Sequence, residues 1–393
     1  MKRLGRLAAV LALALLAGRA APAAALDDGL ARTPPMGWNG WYAFGCAVTE
    51  RTVRETADAM VRTGMRGAGY RFVNLDDCWM GWARAANGEL VPDHARFPHG
   101  IAAVARYVHA RGLLLGTYLD AGRRTCAGRP GSAGHLEQDA RTVARWGADL
   151  VKLDWCYAGG AGPATLAYAR MRDALRATGR PILLSICEWG GTQPWTWGPA
   201  TGHMWRTARD IPHYQPRDRW RAVLRVVARN AELAPYAGPG GWNDPDILQV
   251  GLGGLTPTEG RTVFSLWAVM AAPLLAGGDL RHLDRATRTT LLNREVIAVD
   301  QDPAGLQGLR VSSRRGHDVW VRALASGERV VVLVNRTARP TRFVVHPAAV
   351  SSLPSTRFRV RDLWAHRGRV VRGRFTQLVA PHGAAMLRLR PLA

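Results

Sequence analysis

The sequence predicts an α/β fold, a (β/α)8 barrel followed by a C-terminal antiparallel β-sandwich domain, and three observations carry that expectation. Short apolar segments alternate with helical patterns over roughly 275 residues, as a strand–helix repeat requires. The repeats number about eight, the complement of a TIM-type barrel, which typically occupies ~250 residues. From about Leu309 the helical periodicity stops and short β-rich runs divided by turns replace it. A doubly wound sheet is the competing α/β fold. Neither a GxGxxG turn nor a GxxxxGK(S/T) loop follows any early strand, so its nucleotide-binding forms lose support.

The chain opens with Lys2, Arg3 and Arg6 ahead of an apolar run from Leu7 to Ala17, then Ala23-Ala24-Ala25. A charged start, a short apolar stretch and small residues at a cleavage position define a secretory signal peptide over residues 1–25. The run is shorter than the ~20 residues a bilayer span needs, and no second run reaches that length. Cleavage removes Lys2, Arg3, Arg6 and Arg19 and lowers the formal charge from +23 to +19. The mature chain is therefore expected to be secreted and to make no use of a membrane.

The barrel is expected over residues 26–308. Its strand candidates are Met36–Trp38, Tyr70–Leu75, Leu113–Leu119, Leu150–Cys156, Ile182–Cys187, Met204–Ala208, Gly241–Asp246 and Pro273–Ala276. Helical segments include Thr49–Thr63, Ile101–Arg111, Leu136–Trp146, Pro163–Thr178 and Arg217–Ala234. In the last of these Trp220, Val223, Leu224 and Val227 recur at i, i+3, i+4 and i+7, a single apolar stripe. Residues 309–393 are expected to form the β-domain. Its runs are Val319–Val321, Val330–Val334, Phe343–Val345, Phe358–Val360, Val370-Val371, Phe375–Val379 and Ala385–Leu389, with turns at Gly327, Pro340, Pro354, Gly368 and Gly383. Trp320 and Trp364 are expected to pack there rather than bind sugar, and the sequon Asn335-Arg336-Thr337 carries little weight.

Composition limits the function. With 393 residues, 47% hydrophobic and 21% charged, the chain is globular and not disordered, coiled-coil or collagen-like. The +23 charge would suggest nucleic acid, but lysine occurs only at Lys2 and Lys152. Arginine used wholesale in its place, along the whole chain and among abundant Ala and Gly, reads as compositional bias. No block of like charge or basic stripe interleaved with aromatics stands out, so no nucleic-acid partner is expected. The five cysteines lack C-x-x-C pairs, which favours disulfides in an oxidising compartment over a zinc site and leaves one thiol over. Their pairing stays open at this point.

Acidic residues recur near the carboxyl ends of the expected strands: Asp76-Asp77, Asp120, Asp154, Glu188, Asp210, Asp244 and Asp246. That end of a barrel is where active sites are built. Helix capping explains any one of them, but poorly explains the set in a chain with only 30 acids. Trp38, Trp41, Trp79, Trp155, Trp189, Trp205 and Trp242 lie beside the same positions, and aromatic faces among carboxylates suit a carbohydrate pocket. Lys152 is the only lysine expected in the mature chain, and strand alternation puts Lys152, Asp154 and Cys156 on one face. An ammonium beside Asp154 favours the ionised carboxylate a nucleophile requires. No HExxH, H-x-H or G-x-S-x-G pattern supports a metal hydrolase or a serine nucleophile. Two-carboxylate glycoside chemistry remains.

These motifs resemble those of the retaining α-galactosidases of glycoside hydrolase family 27. TPPMGWNGW (Thr33–Trp41), LDDCW (Leu75–Trp79), KLDWC (Lys152–Cys156), CEWG (Cys187–Gly190), WRTARDI (Trp205–Ile211), GGWNDPD (Gly240–Asp246) and VIAVDQDPAG (Val296–Gly305) carry the resemblance, which runs from about Thr33 to Gly308. It implies Asp154 as nucleophile and Asp210 as general acid/base, and a galactose pocket of Trp41, Asp76, Asp77, Tyr118, Lys152, Glu188, Arg206 and Asp246. It also implies disulfides Cys46–Cys78 and Cys126–Cys156, leaving Cys187 as the odd thiol, and no metal or organic cofactor. Trp155 and Arg209 depart from the smaller or polar residues usual beside the catalytic acids. The implied substrates are α-galactoside oligosaccharides or polysaccharides; the natural substrate, the linkage and the oligomeric state stay open. A β-L-arabinopyranosidase would alter the acid at Asp76, an α-N-acetylgalactosaminidase would carry a small residue in place of Glu188, and a non-catalytic sugar-binding protein would not need Asp154 and Asp210 together. All three are therefore set behind the galactosidase.

Overall fold

The computed structural model of the chain describes residues 25–212 and 216–392; the expected signal peptide lies, but for its last residue, outside the described residues. Eight parallel strands form the first sheet: β1 (Met36–Asn39), β2 (Phe72–Asn74), β3 (Leu114–Asp120), β4 (Leu150–Asp154), β5 (Leu183–Cys187), β6 (Met204–Arg206), β7 (Trp242–Asp244) and β8 (Leu274–Ala276). They are short and almost wholly buried, as strands covered on both faces must be. The order β7-β6-β5-β4-β3-β2-β1-β8 puts the first and last strands side by side. The remaining gap is bridged just beyond β7, where Leu248 pairs with Ala276 and donates its N–H to the Leu275 carbonyl at 2.8 Å. The ring is thereby closed.

The five expected helices are present as Glu50–Arg62, Gly100–His109, Leu136–Trp146, Ala164–Ala177 and Arg219–Asn230. The last stops before Ala234, the residue that precedes Pro235 and is therefore biased away from helix. A further helix, Pro257–Val269, starts at a capping box in which Thr256 and Glu259 exchange hydrogen bonds. The expected barrel-strand ends shift by up to two residues, and one shift bears on the site. Strand β4 ends at Asp154, not Cys156, because the Trp155 N–H turns back to the Asp154 carboxylate (3.0 Å) and the Cys156 N–H reaches Asp120 (3.0 Å). Cys156 is therefore off the strand and does not share the inward face of Lys152 and Asp154.

Beyond the barrel, β9 (Leu309–Arg314), β10 (His317–Ala323), β11 (Arg329–Asn335), β13 (Arg357–Asp362), β14 (Arg367–Arg372) and β16 (Ala384–Pro391) form a six-stranded antiparallel sheet; β12 (Thr341–Val345) pairs with β15 (Phe375–Val379) in a second layer. Strand alternation divides the larger sheet's apolar residues. Val330, Val332, Val334 and Met386 join Trp320 in the barrel's own core, while Val331, Leu333, Leu387 and Leu389 face Val345 and Val379. β9 escaped sequence reading because it is an exposed edge with no apolar run. Trp320 is fully buried, and Trp364 packs edge-on to Phe264 with its indole N–H on Ser265, so both are packing residues. Asn335 is wholly buried and its amide donates to three backbone carbonyls, which removes it as a glycan acceptor.

A buried charge sits where the domains meet. Arg322 of β10 donates to the carbonyls of Ala268 (2.5 Å) and Asp300 (3.2 Å). Burial pushes the Asp300 carboxyl up to about 8 against the pull of Arg322. The folded state therefore holds a proton on Asp300 that the unfolded chain releases, so this group's contribution to stability falls as pH rises from about 4 to about 8. Asp300→Asn is expected to remove that dependence, with a melting-temperature gain over wild type that grows across the same range. Parallel melting curves for the two proteins between pH 4 and 8 would refute this.

Candidate active site

The site is built at the carboxyl ends of β1 to β7. Asn39 closes β1, donates to Asp76 (2.6 Å) and accepts the Trp41 N–H (3.0 Å), which sets the part-buried Trp41 at the rim. Asp76, just past β2, also receives Lys152 Nζ at 3.0 and 3.3 Å. Lys152 rises from β4 over the Tyr118 ring (5.1 Å from its centroid) and lies 3.7 Å from Asp154. Burial works against the ammonium, but Asp76 and, behind it, Asp154 hold its pKa well above the ordinary value, so the cation is permanent.

Asp154 itself is buried, and burial raises its carboxyl to about 6. Lys152 pulls that value down while Asp76 and Asp210 push it up. The expectation that Lys152 favours the ionised form is right in direction, yet desolvation outweighs it. Asp120 on the neighbouring strand is more extreme, lifted to about 8 by burial and then by Asp154, although the N–H groups of Gly122 and Cys156 bond it. Asp77 turns both oxygens to backbone donors, Cys78 (2.6 Å) and Ala127 (2.9 Å). It thus ties together the two loops closed by the Cys46–Cys78 and Cys126–Cys156 disulfides. Cys187 is the buried free thiol.

The other half of the site hangs on Arg206 of β6. Its guanidinium donates to Asp210 at 2.7 Å and lies 3.2 Å from Asp246. Asp246 accepts the Tyr42 hydroxyl and the Ile211 N–H, each at 2.6 Å, so it fixes the backbone directly after Asp210. Burial raises the Asp246 carboxyl to about 7, opposed first by Arg206. Asp210 is half exposed, the one expected acid of the site with open access to water. Glu188, beyond β5, receives the Thr192 N–H on one oxygen (2.8 Å); its other oxygen is buried with no partner among the described residues. The barrel lumen beneath is lined in part by Asn39, Asp76, Thr117, Lys152, Cys187 and Arg206.

All ten expected site residues thus lie at one end of the barrel, with Asp77 directed into the disulfide loops. Asn39 and Tyr42 were missed; both fall inside the TPPMGWNGW motif and its next residue, and an amide or phenol carries no chemistry that marks it out. The aromatic rim is corrected. Trp38, Trp79, Trp205 and Trp242 are fully buried with their indole N–H groups bonded inside the fold, leaving Trp41, Trp155 and Trp189 partly exposed. Asp120, Cys126, Asp154 and Cys156 bring four potential metal-ligating atoms together, but the two sulfurs are joined to each other.

A buried carboxylate beside a fixed ammonium, with a second, half-exposed carboxylate at the same end of a barrel, defines the fold and site of a glycoside hydrolase. Residues 33–302 match the family model described as alpha galactosidase A, and residues 314–389 match the alpha galactosidase C-terminal beta sandwich domain. An alpha-galactosidase of Oryza sativa subsp. japonica is 45% identical over 369 residues, covering 93% of this chain and 87% of that one. The crystal structure of alpha-galactosidase I from Mortierella vinacea superposes with a TM-score of 0.88 at 32% identity, covering 93% of this chain and 99% of that one. The Saccharomyces cerevisiae alpha-galactosidase structure with raffinose gives 0.84 at 29%, with 93% and 99% covered. The chain belongs to the α-galactosidase family.

Proposed function

We propose that this α-galactoside hydrolase releases terminal α-linked D-galactose by double displacement, with Asp154 as nucleophile and Asp210 as general acid/base. The contrast between the two carboxylates carries the reading. Asp154 is enclosed and held beside Lys152, as a group that must meet the anomeric carbon without a water shell; Asp210 is half exposed and aimed by Arg206, as a group that must exchange protons with leaving group and water. Asp154 attacks the anomeric carbon while Asp210 protonates the leaving oxygen. Water then attacks from the opposite face with Asp210 as base, so two inversions give net retention. The ionised Asp154 also stabilises the oxocarbenium-like transition state. Trp41, Asp76, Asp77, Tyr118, Lys152, Glu188, Arg206 and Asp246 make or support the galactose pocket. Secretion is part of the same proposal, supported by the charged and apolar start of the chain and by two disulfides. No helix among the described residues is long and apolar enough to cross a membrane.

Hydrolysis of 4-nitrophenyl α-D-galactopyranoside, beside the β-L-arabinopyranoside and the N-acetyl-α-galactosaminide, tests the substrate. The galactoside is expected to win; preference for either rival would overturn the pocket reading. Glu188 sharpens the comparison, because a sugar hydroxyl would satisfy its unpartnered oxygen. Loss of a hydrogen bond to a charged group is worth about 1.5–3 kcal/mol, on the order of 10- to 100-fold in kcat/KM. Glu188→Ala is expected to lose that much on the galactoside and far less on the N-acetylgalactosaminide, shifting the ratio between them.

A further inference from the structure

Arginine is spread along the whole sequence, but its neutralisation is not. Residues 26–308 carry 32 Lys and Arg against 27 acids, a net of +5. Residues 309–393 carry 17 arginines against Asp318, Glu328 and Asp362, a net of +14 out of the chain's +23. Compositional bias explains the choice of Arg over Lys; it does not explain why the β-domain alone lacks acids. Such asymmetry between parts of one chain marks an anionic partner.

The sheet shows where that charge is gathered. In register, Arg357 of β13 lies opposite Arg372 of β14, and Arg359 and Arg361 of β13 lie opposite Arg390 and Arg388 of β16. Residues 357, 359 and 361 alternate along one strand, so all three pairs project from the same face. Like charges directly opposite on a sheet are destabilising, and three such pairs in a row oppose folding. Acids relieve only part of this. Glu295 bonds Arg361 at 2.6 and 2.8 Å and Glu328 lies 3.5 Å from Arg388, whereas Arg359 and Arg390 are exposed and form no ion pair among the described residues. Opposite Arg361 and Arg359 on β14 stand Gly368 and Val370, which leave a trough beside the arginine rows. None of these residues belongs to the active site.

We propose that this arginine face of the β-domain binds an acidic polysaccharide, holding its carboxylates or sulfate esters while the barrel acts on galactosyl groups. Planar guanidinium groups bond such oxyanions in pairs. Along β13 they recur every two residues, about 6.7 Å, which suits a chain of regularly placed charges. No aromatic side chain on which a nucleic-acid base would stack is among the residues lining the trough, and its one large apolar side chain, the half-exposed Val370, is too little to anchor in a lipid surface.

The test is affinity electrophoresis of the mature chain through gels containing polygalacturonate, a sulfated galactan, neutral galactomannan or a DNA duplex, at about 50 mM salt and again at about 500 mM. Retardation by one or both acidic glycans, lost at high salt, is expected, and the arm that responds identifies carboxylate or sulfate. Arg359→Gln/Arg390→Gln, and Arg390→Gln alone, are expected to weaken retention at least tenfold and in part, respectively. Hydrolysis of 4-nitrophenyl α-galactoside by both variants should be unchanged, which also shows that they fold. Arg221→Gln/Arg225→Gln, the same charge change on a barrel helix, should leave retention intact. No retardation by either acidic glycan, equal weakening in the barrel variant, or stronger retention by DNA than by both glycans would each overturn the proposal.

Discussion

Asp154→Asn is expected to lower kcat/KM for 4-nitrophenyl α-D-galactopyranoside by on the order of 10^4- to 10^6-fold while leaving the fold intact. The amide matches the carboxylate in size and can keep the Trp155 N–H bond, so packing is nearly undisturbed. What is lost is the attacking oxygen and the negative charge facing the oxocarbenium-like centre. A pH dependence belongs to the same residue. Burial lifts the Asp154 carboxyl to about 6 and only the ionised form attacks, so kcat/KM of the wild type should fall as pH drops through about 6. Lys152→Met removes the nearest cation, whose effect on Asp154 is downward, and should move that limb to higher pH. A limb that stays in place in Lys152→Met would mean that another group controls the acid side.

Azide should separate the two carboxylates by the stereochemistry of its product. In Asp210→Ala the nucleophile remains, so an activated aryl galactoside can still form the covalent intermediate because its leaving group needs little protonation. Hydrolysis of that intermediate lacks its base, and turnover should fall on the order of 10^2- to 10^4-fold. Azide needs no base and attacks the intermediate from the face the leaving group vacated, giving α-galactosyl azide and a recovered rate. In Asp154→Ala azide takes the place of the missing carboxylate and attacks from the opposite face, giving β-galactosyl azide. An exchange of these products between the variants would reverse the assigned roles.

Much of this was legible in the sequence for a physical reason. Strands and helices are set by the local period of apolar residues, so all eight barrel strands could be found within a few residues of their ends. The catalytic candidates sit in contiguous motifs at or just past the ends of those strands, Asp154 closing β4 and Asp210 following β6, where chain order alone places them at one rim. Boundaries slipped where a side chain captured the backbone, as Asp154 and Asp120 do at the end of β4. β9 was missed because an exposed edge strand has no apolar pattern to read.

The sequence by itself determined the order of strands and helices, the positions of the acids at the strand ends and the isolation of Lys152, because each is a property of neighbouring residues. Only the closed barrel decided which of these groups meet. Asn39 and Asp76 are 37 residues apart and Tyr42 and Asp246 are 204 apart, yet both pairs bond at 2.6 Å: parallel pairing sets β1 beside β2 for the first, and ring closure brings the end of β1 round to the far edge of the sheet for the second. The same closure buried four of the seven tryptophans, and strand register stacked arginines from three strands of the β-domain on one face. Burial and register depend on what arrives from elsewhere in the chain, and local periodicity carries no record of it.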